Sequence, residues 1–175
     1  MDENKDFAKK MATMTADSDP KGSRHIFYSS CSVFIEKDDH LLLVEEKKYD
    51  VPDLALDPPS THVTWKDNGI TNAAIRAARK ETGYAVELTH LVGMYEIDIF
   101  ERHYYHFVFA GNTTSDEPEH EITDEHIENV VWMDKDDIEQ ILPRMRSDAL
   151  RVALKDYLDG KQYPLELLQH IGRTH

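Results

Sequence analysis

A single cysteine, Cys31, stands in the 175 residues, so neither an internal disulfide framework nor a multi-cysteine zinc site can be built. Cys31 lies in the alternating apolar run from Phe27 to Ile35, which predicts a buried structural thiol rather than a nucleophile. No stretch approaches the ~18–20 consecutive apolar residues that cross a bilayer. The N-terminus, MDENKDFAKKMATMTADSDPKGSR, has no apolar signal core. Positive charge is also scarce: 20 Lys+Arg stand against 34 Asp+Glu, a formal net charge of −14. Such a field repels polyanions and argues against long nucleic acids and anionic membrane surfaces as partners. It leaves room for a local positive pocket. The expectation is a cytoplasmic protein, with residues 1–24 as a mobile leader and 25–175 as one domain. No internal repeat and no low-complexity tract is present.

What is there alternates between strand and helix patterns. Tyr28 to Lys37 and the run from His40 read as two strands of a hairpin turning at Asp38-Asp39. Tyr49 to Pro59 reads as a loop, His62 to Trp65 as a short strand, and 66–69 as a turn. Ile70 to Thr82 has helical spacing of Ala and apolar positions, and Gly83 is placed to stop it. Ala85 to Phe100 predicts one bent strand or two short ones broken near Gly93, followed by a strand from His103 to about Ala110. Asn112 to Asn129, acidic and holding Pro118, predicts an exposed loop. Val130 to Met133 reads as a buried strand. Asp134, with Asp137 as a capping-box partner, would cap a helix to about Leu142, which Pro143 ends. Ser147 would cap a last helix running to Asp159, before Gly160. Mixed strands and helices in this order favour an α/β sandwich. His103 and His106, three apart on a strand, point to opposite faces and make no metal pair. Trp65, Tyr95 and Tyr105 suit either a core or the stacking of a ligand ring.

The segment from Asn72 to Tyr84 (NAAIRAARKETGY), with a hairpin before it and strands after it, resembles the signature helix of the Nudix hydrolase family. The likeness rests on Ala73-Ala74-Ile75-Arg76 and Glu81-Thr82-Gly83-Tyr84, with His62-Val63 similar to the family's Gly-His-Val/Leu step. Arg146-Ser147, Asp156-Tyr157, Gly160 and Tyr163-Pro164-Leu165-Glu166 resemble the C-terminal close of NudJ-type bacterial Nudix pyrophosphatases. The match runs from about residue 25 to 168. It implies the Nudix fold, an α/β/α sandwich around a mixed β-sheet. It also implies a nucleotide or other small diphosphate ligand, and Mg or Mn as cofactor if the protein is active. A second copy of the chain, forming a homodimer, is a further candidate partner.

The sequence departs from the signature where the resemblance implies metal ligands. Ala77 follows Arg76 where the family has Glu, and the family's Glu-Glu pair is Lys80-Glu81. Asn68 stands eight residues before Arg76, beside Asp67. Positions 77, 80 and 81 share one helix face within ~100°, so that face reads Ala, Lys, Glu. Two expectations follow. In the first, metal-dependent hydrolysis is lost or weakened, and Arg76, Arg79, Lys80 and His62 contact a phosphorylated ligand. In the second, Glu81 stays catalytic and ligates metal with Asp67 and a loop acid, Glu128 or, behind it, Glu125. A non-catalytic interaction domain is the third class. Simpler roles stand beside these: a solvated Lys80, an Arg76 that orients a loop by a salt bridge, and a solvated acidic loop.

Overall fold

The computed structural model describes residues 27–47, 54–99 and 102–172; the expected leader lies outside them. Asp38 and Asp39 take positive φ values of 49° and 61°, the twist that closes a two-residue hairpin, and Asp tolerates it better than most residues. The turn joins β1 (Phe27–Lys37) to β2 (His40–Glu46). Two three-residue strands follow, β3 (Ala55–Asp57) and β4 (Ser60–His62). A 3₁₀ turn, Trp65–Asp67, leads into helix α1 (Ile70–Thr82). Then come β5 (Val86–Ile99), β6 (Arg102–Thr113) and β7 (Ile127–Asp134). A 3₁₀ segment (Ile138–Arg144) and helix α2 (Asp148–Leu158) follow, and the 3₁₀ turn Leu165–Leu167 lies near the end.

The strands form one sheet in the order β3-β2-β1-β6-β5, with β4 also beside β1 and β7 beside β2. β1 and β6 run parallel, from Phe27 opposite His103 to Glu36 opposite Asn112, and the other pairs are antiparallel. Side-chain alternation along β1 gives each face its own core. Cys31, Val33 and Ile35 pack with Phe109 against Ala73, Ala74 and Ala78 of α1. Phe34, Val108 and Ala110 pack against Leu150, Ala153 and Leu154 of α2 and Ile138 and Ile141 before it. The fold is therefore the α/β/α sandwich around a mixed sheet. Cys31 is fully buried, and burial pushes its thiol up to about 12. Among the described residues, no helix is long and apolar enough to cross a membrane.

Some elements differ from the sequence reading. β3 lies inside the stretch expected as loop, because Ala55 and Leu56 pair with the end of β2 and are buried. The strand expected at His62–Trp65 sits earlier, and Trp65 starts a 3₁₀ turn and is 86% exposed. The stretch expected as one bent strand or two short ones forms the single strand Val86–Ile99, with pairing irregular at Leu88/His90 and Leu91/Gly93. β7 begins within the expected loop, and Val130 to Met133 are only partly buried, since β7 flanks β2 at the sheet's margin. The helix expected from Asp134 is a 3₁₀ segment that includes Pro143, and Asp137 precedes it without a side-chain cap. By contrast, the Ser147 side chain does accept from Leu150 N at α2.

Gly83 is where α1 meets the acidic loop. It has φ 78°, its N–H caps Arg79 O, and its carbonyl accepts from Glu119 N and His120 N. A Cβ there would lie 2.2 Å from the His120 carbonyl oxygen. Gly83→Ala should cost about 2–3 kcal/mol from left-handed strain plus displacement of the loop. Urea unfolding checks this; a midpoint within error of wild type would contradict it.

Candidate functional site

α1 is alanine-rich on its inner side, which lets it lie close to the sheet, and Ala77 is buried with its neighbours. Arg76, on the flank, spends its whole fork on protein. Its Nε and Nη2 reach Asp67 Oδ1 and Oδ2 at 2.5 and 3.0 Å, Nη1 donates to Thr61 Oγ1 (3.2 Å), and Nη2 to the His62 carbonyl (3.0 Å). Asp67 also accepts from Thr64 N and Thr64 Oγ1. The Arg76 hydrogen bonds hold the Asp67 carboxyl down at about 2, against the effect of its burial.

That clamp fixes β4 beside the C-terminal half of α1. Ser60 N donates to Glu81 Oε2 at 3.0 Å. Burial pushes the Glu81 carboxyl up to about 8; the Ser60 N–H and the Arg146 charge oppose this, while Asp124 and Glu46 add to it. Lys80 carries its ammonium to Asp124 Oδ2 at 2.6 Å. Burial would raise Asp124, but the Lys80 hydrogen bond and the His126 N–H outweigh it and keep the carboxyl below its ordinary value. The loop is further tied down by Thr123 N donating to Lys80 O. Arg79 is exposed. Arg76, Arg79 and Lys80 together line one wall of an open groove of about 540 Å³, with Glu119, His120, Glu121 and Thr123 opposite.

Arg146 is the group that sequence reading missed. It stands between the 3₁₀ segment and α2, and its guanidinium enters the cleft beside Glu81. Nη1 meets Glu46 Oε2 at 2.7 Å, Nε meets Asp57 Oδ2 at 3.2 Å, and Nη2 donates to Ser60 Oγ at 2.8 Å. Its backbone N–H donates to Asp57 Oδ1 at 2.9 Å. Asp57 is fully buried. The one sequence signal was the Arg146-Ser147 pair; the partners lie 86 and 89 residues away, beyond any local pattern.

The expected ligands do not converge. Asp67 sits in the Arg76 clamp, Glu128 pairs with Lys47 at 2.6 Å, and Glu125 is exposed. His62 is exposed, and its carbonyl, not its ring, meets Arg76. Among the described residues, no group of three or more His, Cys, Asp or Glu is arranged to hold a metal ion. A divalent cation needs several free oxygens, whereas here Glu81 has one oxygen on Ser60 N and the Arg146 guanidinium close enough to act on its charge. This donor set does not fit Mg or Mn. His103, bonded to Asp98, and His106, between Ser30 and Ser32, do point to opposite faces of β6. Tyr95 bonds Asp156 and Tyr105 stacks on Phe27.

The model of the NUDIX domain family matches residues 28–155. Among solved structures, a NUDIX hydrolase from Nitrosomonas europaea superposes with a TM-score of 0.74 and 28% identity, covering 83% of this chain and 98% of that one. A MutT NUDIX hydrolase from Burkholderia pseudomallei gives a TM-score of 0.58 at 22% identity, over 75% and 98% of the chains. An ADP compounds hydrolase gives 0.65 at 16%, over 78% and 74%. No curated protein matches the sequence.

Glu81 makes the cleft's electrostatics measurable. A carboxyl whose folded pKa is about 8, against an ordinary 4.5, holds an extra proton in the native state across that window, so its contribution to stability falls as pH rises. Gln cannot ionise and its side-chain oxygen can still accept from Ser60 N. Glu81→Gln should therefore unfold later than wild type at pH 8, by on the order of 2–4 kcal/mol, with the gain vanishing near pH 4.5. Urea midpoints across that range decide it; a pH-independent difference would show that Glu81 ionises normally.

Proposed function

The chain belongs to the NUDIX family, and on that premise we propose that it binds a nucleotide or similar small diphosphate through its own cations, with metal-dependent hydrolysis lost or severely weakened. The observation that carries this is Lys80. It stands where the signature has a metal-binding Glu, and its ammonium is paired with Asp124, an acid of the loop that would otherwise be free to help hold a metal. Ala77 removes a second acid and Glu81 is buried against Ser60. The groove walled by Arg76, Arg79 and Lys80 supplies positive charge for phosphate oxygens. Arg79 and Lys80 are its exposed contacts, while Arg76 and Asp67 shape it. The structural neighbour that is an ADP compounds hydrolase and the resemblance to the NudJ-type C-terminal close both favour a diphosphate ligand.

A second reading, an active pyrophosphatase with relocated acids, draws on Asp124 and Glu46, both close enough to Glu81 to raise its pKa. It requires Lys80 and Arg146 to release them.

Calorimetry in EDTA with inorganic diphosphate and with ADP tests the first reading. Wild type should bind both, and Lys80→Ala should weaken binding about five-fold, the effect of losing one charge-assisted contact at a partly exposed site. Phosphate release from ADP with Mg or Mn should be undetectable. Release that Glu81→Gln abolishes would establish the second reading instead, and failure to bind either probe would leave an interaction domain. Ala77→Glu with Lys80→Glu should create Mn binding by calorimetry. Because Ala77 is buried, Lys80→Glu alone is the milder variant.

A further inference from the structure

The groove beside α1 has two walls of unlike charge. Arg76, Arg79 and Lys80 stand at i, i+3 and i+4, about one helical turn, and so share a flank of α1. Facing them, Glu119, His120 and Glu121 come from the acidic loop. That loop is tied to the end of the helix on both sides of Glu121. Gly83 O accepts from Glu119 N at 3.0 Å and from His120 N at 3.2 Å, and Thr123 N donates to Lys80 O at 3.0 Å. The backbone that carries both glutamates is thereby fixed opposite the cations.

Counting charge across the two walls shows a mismatch with a purely anionic ligand. Arg76 is answered by Asp67, and Lys80 by Asp124. Arg79 is exposed and, among the described residues, forms no ion pair. On the other wall, Glu119 lies 4.0 Å from the His120 ring, and Glu121 forms no ion pair among the described residues. Two carboxylates therefore stand open against one open guanidinium. A diphosphate with nothing else attached brings like charge toward Glu119 and Glu121, and such juxtaposition selects against a ligand. A ligand with phosphate at one end and a cation at the other matches both walls. The groove, about 540 Å³, has the size of a small-molecule site and room for two such ends.

The lining also narrows the kind of cation. Among the described residues it holds no Phe, Tyr or Trp, so a quaternary ammonium would find no aromatic face to rest on. Carboxylates instead accept N–H donors in charge-assisted hydrogen bonds. Both glutamates are exposed, so each contact is worth little alone and the pair acts by discrimination. We propose that the groove selects a dipolar ligand, with its phosphate on Arg79 and Lys80 and an N–H-bearing cation, a primary ammonium, on Glu119 and Glu121. The inference rests on the proposed binding of a phosphorylated ligand and names the chemistry of that ligand's other end.

Two probes of equal length isolate the charge: 2-aminoethyl diphosphate and propyl diphosphate. In calorimetry in EDTA at pH 7, the wild-type chain should bind the aminoethyl compound about five-fold more tightly, the worth of one charge-assisted contact at an exposed site. Replacing both acids, Glu119→Gln with Glu121→Gln, should bring the ratio of the two affinities to about one. Arg79→Ala should weaken both probes by the same factor, since both carry the same diphosphate. Equal affinities in wild type, or a preference that survives in the double variant, would overturn the proposal while leaving the phosphate site standing, because propyl diphosphate still binds. If neither probe nor inorganic diphosphate binds wild type, the reading of the groove as a phosphate site falls, and this proposal falls with it.

Discussion

The Arg76–Asp67 clamp is the constraint on which the site depends. A bidentate guanidinium–carboxylate pair, further held by Thr64, Thr61 and the His62 carbonyl, joins the 3₁₀ turn, β4 and α1 into one unit. Asp67 is nearly inaccessible, so removing Arg76 would leave a buried charge unpaired, which costs far more than an exposed pair contributes. With β4 fixed, Ser60 faces two ways: its backbone N–H holds Glu81 and its hydroxyl receives Arg146. Arg76 thus contributes to the site mainly through the position it imposes on others.

Local signals predicted local structure well. Helix α1 spans Ile70–Thr82, as its alanine spacing and Gly83 foretold, and Ser147 caps α2 through the bond its residue type suggests. The errors fell where a distant strand decided the outcome. Ala55 and Leu56 look like loop among prolines, yet pairing with β2 draws them into the sheet. Val130 to Met133 look like a buried strand, yet β7 lies beside β2 at the margin and keeps them only partly covered. The 3₁₀ segment carries Ile138 and Ile141 to the core, with Leu142 packed against it, without a regular helix.

The site was legible in outline and not in its pairings. Ala77 and Lys80 could be recognised as departures because the resemblance to the Nudix signature is read position by position along the chain. That Lys80 meets Asp124, rather than Glu125 or Glu128 meeting a metal, depends on how the 114–126 loop folds back onto Lys80 O and Gly83 O. No periodicity reports that. The same holds for Arg146: a cation at the start of a helix is unremarked in sequence until the fold places Glu46, Asp57 and Ser60 around it.

These pairings give a physical account of how an acidic chain can hold a cationic site. Carboxylates gathered in a cleft repel one another and must be neutralised by protons or by cations. Here Glu46 and Asp57 share Arg146, Asp124 takes Lys80, and Glu81 is raised toward the neutral acid by burial. Every one of these acids is answered from within the chain, so the cleft needs no outside ion to be stable. The charge balance also sets what can enter. An incoming divalent cation would have to displace an ammonium or a guanidinium already held at 2.6–2.8 Å, whereas a phosphate need only share them. The net charge of −14 repels long polyanions, and the proposed ligand is an anion small enough to reach the few cations at the groove.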